Sequence, residues 1–160
     1  LTGAYNRRQF ESDMARSRAQ LERYGTPTSL LMLDLDYFKS INDEFGHDAG
    51  DRVLRRIAKL IESSTRAVDG LYRIGGEEFA LILPNTQLQP AMAIAENIRS
   101  LIEGADIISD HPITASFGVA ELHPQESYKK VIKRCDEALY TAKAEGRNRV
   151  VRLNAEELSG

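Results

Sequence analysis

Four acidic side chains in two short clusters are the first candidates for chemistry. Ser29-Leu30-Leu31-Met32-Leu33-Asp34-Leu35-Asp36 is a continuous apolar run that ends in carboxylates, too short for a helix and therefore read as a buried central strand. In an extended strand Asp34 and Asp36 project to the same face. Further on, Gly75-Gly76-Glu77-Glu78 sets two more acids at a turn, where residues without side chains let a bulky ligand approach the backbone. Singly, each cluster is read equally well as solvated or capping charge. If the hairpin pairs beside the first strand, however, Asp34 and Glu77 converge. Hard oxygen donors around a small gap suit magnesium or manganese, with substrate phosphates completing the shell.

The elements that must hold these groups follow from periodicity. Phe10, Met14, Ser17, Leu21 and Tyr24 recur at helical spacing until Gly25-Thr26-Pro27 stops them. Tyr37 to Phe45 reads as a short helix and turn. Val53, Leu54, Ile57, Leu60 and Ile61 then mark a long helix starting near His47 to Asp51. Leu71-Tyr72-Arg73-Ile74 and Phe79-Ala80-Leu81-Ile82-Leu83 flank the glycine pair, a pattern for a tight hairpin in which glycine supplies positive φ. Ala91, Ile94, Ala95, Ile98, Leu101 and Ile102 share a helical face, Ile113 to Leu122 reads as a strand, and Tyr128 to Ala144 as a helix closed by Gly146. Val150 to Leu153 reads as a last strand. The order α-β-α-α-β-β-α-β-α-β predicts an α/β (α+β) fold, an antiparallel or mixed central sheet flanked by helices.

Composition narrows the class. At 160 residues, with 42% apolar side chains, residues 1–160 read as one compact domain. A net charge of −3 gives no global field for a nucleic-acid backbone or an anionic membrane, so an anionic substrate needs local cations or metal. The single cysteine, Cys135, lies in the apolar series Val131, Ile132, Cys135, Leu139 and reads as a core thiol, compatible with a cytoplasmic setting. No apolar run approaches the ~20 residues of a membrane span. The start at Leu1-Thr2-Gly3, without Met, reads as a piece of a longer protein whose remainder could hold a sensor or an anchor.

The stretches from Asp34 to Asp43, Phe45-Gly46-His47-Asp48-Ala49-Gly50-Asp51, and Arg73-Ile74-Gly75-Gly76-Glu77-Glu78-Phe79 together resemble the GGDEF family of diguanylate cyclases, in its Gly-Gly-Glu-Glu-Phe form. Leu1 to Arg8 and Ala138 to Asn148 resemble the family's opening and closing segments. The resemblance implies a fold similar to the adenylyl cyclase and polymerase palm cores, with magnesium or manganese held by Asp34, the Leu35 carbonyl and Glu77. It implies that Asn42 and Asp51 read the guanine edge of GTP, a role their donor and acceptor groups suit. His47 is expected to contact the nucleotide. Lys39, Lys143 and Arg147 match cations facing the triphosphate, and the spacing of the last two predicts one helical side.

The implied reaction is attack of one GTP 3′-hydroxyl on the α-phosphate of another, performed twice to give cyclic di-GMP. Lys39 would stabilise the transition state and Glu77 or Glu78 would accept the proton. A ligated carboxylate is the poorer base, which favours Glu78, while family assignments favour Glu77. Because the product is two-fold symmetric, a homodimer of catalytic domains is expected. Arg66-Ala67-Val68-Asp69 matches the family's inhibitory product site, although Asn97 stands where a secondary arginine is expected, with Arg99 two residues on. The rival readings are a silent receptor for cyclic di-GMP or GTP, a cyclase that also uses ATP, and a polymerase-like enzyme. The intact Gly75-Gly76-Glu77-Glu78-Phe79 motif, Asp51 and the acidic balance argue against them in turn.

Overall fold

The structure, a computed structural model, describes residues 4–153. Leu1, Thr2 and Gly3 of the expected opening segment lie outside the described residues. Five helices and five strands occur among those described: α1 (Arg7–Tyr24), β1 (Thr28–Leu35), α2 (Phe38–Phe45), α3 (His47–Ser63), β2 (Gly70–Arg73), β3 (Glu78–Pro84), α4 (Leu88–Gly104), β4 (Ala115–Glu121), α5 (Tyr128–Ala144) and β5 (Val150–Arg152). The order is the one the periodicity predicts. Helix α1 begins because Asn6 accepts a bond from the Gln9 N–H, and Gly25 ends it. Its inward stripe is narrower than expected: Phe10, Met14 and Leu21 are buried, but Tyr24 stays in solvent under the Arg23 guanidinium. Leu101 likewise sits at the wet margin of α4.

The sheet order is β2-β3-β1-β4-β5, with β1 antiparallel to both neighbours and β4 parallel to β5, so the sheet is mixed. Strand β1 is therefore central, and every one of its residues is buried. Alternation divides it. Leu31, Leu33 and Leu35 pack with the buried faces of α3 and α4, whereas Leu30 and Met32 pack with Phe10, Met14, Val131, Cys135 and Leu139 of α1 and α5. Asp34 follows Leu30 and Met32 in that alternation, which carries its carboxylate into the seam beneath α5. Helix α5 lies close to the sheet because position 118 is glycine: a Cβ there would run into the backbone of Cys135 and Leu139. Cys135 is fully buried, as expected, with its Sγ 3.3 Å from the Gly118 carbonyl oxygen.

Candidate functional site

The hairpin does pair beside β1, and Asp34 stands directly opposite Glu78. Its turn is not the tight type expected, and neither Gly75 nor Gly76 has positive φ. The strands close through a wider connection, with the Ile74 N–H donating to the Glu78 carbonyl at 3.0 Å. Arg73 replaces the missing turn geometry by donating from Nε and Nη2 to the Gly76 carbonyl at 3.1 and 2.7 Å. Sequence reasoning did not single out Arg73. A Cβ on Gly76 would meet nothing within 4 Å, so the backbone is open there, whereas one on Gly75 would come within 3.0 Å of the Glu78 carboxylate.

Lys39, Asn42, His47, Asp51 and Glu77 line one cavity of about 300 Å³, joined by Arg73, Gly76 and the apolar Phe38 and Leu54. Helix α2 delivers Lys39 and Asn42, the first turns of α3 deliver His47 and Asp51, and the hairpin delivers Glu77. Gly50 makes this arrangement possible, because a Cβ at that position would occupy the place of the Asn42 Oδ1. The side chains of Lys39, Asn42, His47 and Asp51 form no hydrogen bond or ion pair among the described residues, so their polar groups are available to a ligand.

Beside this cavity, at the end of β1, lies the acidic centre. Lys143 bonds Asp34 Oδ2, while Asp34 Oδ1 is buried without any hydrogen-bond partner. Burial raises the Asp34 carboxyl above its ordinary range; Lys143 opposes that shift, and Glu77 and Asp36 add to it. Burial raises Glu78 as well, with Asp34 and Asp136 adding and Lys143 and Arg7 opposing. An orphaned carboxylate oxygen with further acids nearby fits a hard divalent cation. Among the described residues no three His, Cys, Asp or Glu side chains form a complete cage.

Asp36 is compensated by neighbouring donors. Its carboxylate accepts from Thr114 Oγ1 and Ser116 Oγ, both at 2.7 Å, and from the Asn148 N–H at 3.0 Å. Against expectation, Arg147 does not share a helical side with Lys143, because α5 ends at Ala144 and Arg147 follows in a turn with φ +64°. Its guanidinium lies 4.6 Å from the centre of the Tyr37 ring.

Arg66 and Asp69 sit apart from the cavity, at the Pro84 end of β3. Arg66 donates to both oxygens of Asp69, and also to the Pro84 carbonyl and Thr86 Oγ1. The Asp69 carboxylate is 1% exposed and further accepts the Arg66 N–H. The strand between Glu78 and Pro84 separates this pair from the acids by roughly 20 Å. Arg99 is held by Glu96, Glu103 and Asn148, while Asn97 is exposed.

A mixed sheet with buried acids at the end of its central strand, opening beside a polar cavity on a helix pair, has close counterparts. Residues 1–149 match the family described as "Diguanylate cyclase, GGDEF domain", and the chain belongs to that family. Among individual proteins, the diguanylate cyclase VdcA of Vibrio cholerae is 45% identical over 159 residues, covering 96% of this chain and 46% of that protein. The response regulator PleD of Caulobacter vibrioides is 42% identical over 157 residues, covering 94% of this chain and 35% of PleD. The chain thus spans less than half the length of these relatives. In structure it is similar to the GGDEF domain of DgcB from Caulobacter crescentus in complex with c-di-GMP, with a TM-score of 0.90, 37% identity, and coverage of 94% and 92% of the two chains. It is also similar to the active GGEEF domain of a diguanylate cyclase from Vibrio cholerae, with a TM-score of 0.88, 38% identity, and coverage of 92% and 96%.

Proposed function

We propose that this chain is one catalytic domain of a longer protein and condenses two GTP molecules into cyclic di-GMP, releasing two pyrophosphates. In each step the O3′–P bond forms, the bond between the α-phosphorus and the α–β bridging oxygen breaks, and the hydroxyl proton passes to a carboxylate. The observation that carries this reading is the single cavity shared by Lys39, Asn42, His47, Asp51 and Glu77 beside the orphaned oxygen of Asp34. Asp51 can accept from guanine N1–H and the exocyclic amine, and Asn42 can address O6 or N3. Adenine offers no matching pair of donors. His47 adds a donor at the rim, and Lys39, Lys143 and Arg147 supply local positive charge that the net charge of −3 does not.

Asp34, the Leu35 carbonyl and Glu77 would hold magnesium or manganese, which when bound neutralises charge on the phosphates and lowers the pKa of the attacking hydroxyl. Glu77 or Glu78 would accept the proton: Glu77 lines the cavity but would be occupied as a ligand, whereas Glu78, paired with Asp34 at the start of β3, would be free of the metal. Two copies facing across a two-fold axis would present both attacking groups. Arg66 and Asp69 would take product once their mutual ion pair opens, slowing synthesis. Among the described residues no helix is long and apolar enough to cross a membrane, and we place the reaction in the cytoplasm, where GTP is supplied.

Incubating the purified chain with GTP and magnesium, then separating nucleotides, tests the proposal. Cyclic di-GMP and pyrophosphate in a 1:2 ratio are expected, at a specific activity that rises with protein concentration. Tight GTP binding without turnover at any concentration would replace the enzyme with a nucleotide receptor.

A further inference from the structure

The turn after α5 holds three consecutive residues at positive φ: Gly146 at +129°, Arg147 at +64° and Asn148 at +48°. For two non-glycine residues in succession this backbone is costly, and it persists only where neighbours over-determine it. Asn148 is where the neighbours act. Its N–H donates to Asp36, itself fixed by Thr114, just before β4, and Ser116 within it. On the other side, its Oδ1 accepts from Arg99 Nη1 at 2.9 Å and its Nδ2 donates to Glu103 Oε2 at 2.6 Å. Arg99 in turn bonds Glu96 and Glu103, so the outer clamp is a closed network on α4. These donors, Asn148 before Arg99, also hold the Glu103 carboxyl below its ordinary range. Asparagine is suited to the position because it tolerates the left-handed region and offers one donor and one acceptor to the opposite charges of α4.

The residue this clamp delivers is Arg147. Between Gly146 and the fixed Asn148 its own backbone has little freedom, and its guanidinium is thereby laid over Tyr37, the residue between Asp36 and α2. We propose that Asn148 is a positioning residue for Arg147, gripped by Asp36 from the sheet and by Glu103 and Arg99 from α4, so that the outer face of α4 sets the grip of the site on the substrate's phosphates. The positioning stands on the contacts alone; its effect on substrate rests on the reading of Arg147 given above.

Two readouts separate these layers. The Nε–H resonance of Arg147 is shifted by the ring current of Tyr37, and it reports the arginine's position with no substrate present. Asn148→Gly keeps the left-handed backbone but removes both bonds to α4, and should collapse that shift. Glu103→Ala should reduce it from the exposed surface of α4, and Glu103→Gln, which still accepts from Asn148, should restore it. In GTP turnover, Asn148→Gly should raise KM about three- to tenfold with a smaller effect on kcat, and should add nothing to Arg147→Ala. An unchanged ring-current shift in Asn148→Gly overturns the inference. So does a KM effect that adds fully to that of Arg147→Ala. A collapsed shift with KM unmoved in both Asn148→Gly and Arg147→Ala upholds the positioning and overturns Arg147 as a phosphate contact.

Discussion

Gly50→Ala separates stability from recognition at the end of the cavity proposed to read the base. The added Cβ would enter the space of the Asn42 Oδ1 and approach the Phe38 ring to 3.1 Å. The ring needs to yield only a few tenths of an ångström, but the amide must leave. Against the collision stands the better helix propensity of alanine, worth about 1 kcal/mol inside a helix. Overpacking costs about 1–3 kcal/mol where nothing can move, and the half-buried Asn42 can swing outward, so the lower end applies. Net stability should therefore change by no more than about 1 kcal/mol. Recognition has no such offset. Losing a hydrogen bond to a desolvated base edge costs about 1–3 kcal/mol, or roughly 5- to 150-fold in GTP affinity. Urea melts and calorimetric GTP titration of the variant measure the two quantities side by side. GTP affinity within twofold of the parent would show that Asn42 does not hold the base. A stability loss well beyond 3 kcal/mol would show that the collision is taken up by Phe38 and the core instead.

Glu77→Gln keeps shape but removes a charge beside Asp34, and should lower cyclic di-GMP synthesis by orders of magnitude with an unchanged circular dichroism spectrum. Asp51→Ser removes the proposed acceptor for guanine's donors and should reduce discrimination between GTP and ATP by ~1–3 kcal/mol, read from competition of the two nucleotides. Replacing both Arg66 and Asp69 by alanine should leave initial rates nearly unchanged and abolish the slowing of progress curves by added product; a variant that stalls at the same product level rules out this segment as the inhibitory site. Burial raises the Cys135 thiol well above its ordinary range, so a thiol reagent should label the native protein no faster at pH 9 than its unfolding rate permits.

Much of this was legible in the sequence because it depends on local pattern. The run from Ser29 to Asp36 could only be a strand with acids at its end, and the spacing around Val53 to Ile61 could only be a helix. The motif residues identified the cavity walls. What pattern could not reach were contacts between distant segments. Asp34 meets Lys143 across 109 positions and Asp36 meets Asn148 across 112, and neither pairing leaves any mark on periodicity. The same holds for Gly50, whose need to be glycine is visible only once Asn42 is seen leaning on it. By spacing alone Arg147 falls on the helical side of Lys143, because three further residues at that spacing are indistinguishable in sequence from a left-handed turn. Gly146 was the available signal that the helix had already ended.

The burial of β1 on both faces has a consequence for motion. With β3 and β4 bonded along its two sides, its amides exchange with solvent only through the largest openings of the molecule. Asp34 therefore rides on the slowest part of the chain. Lys39, Asn42 and Asp51 ride on an eight-residue helix and the first turns of the next, neither of which begins with a side-chain cap. On warming, these uncapped helical ends should loosen before β1 does, so Asn42 and Asp51, the proposed base contacts, should lose their order while Asp34 is still in place. Fidelity for guanine should fade at a lower temperature than the fold itself.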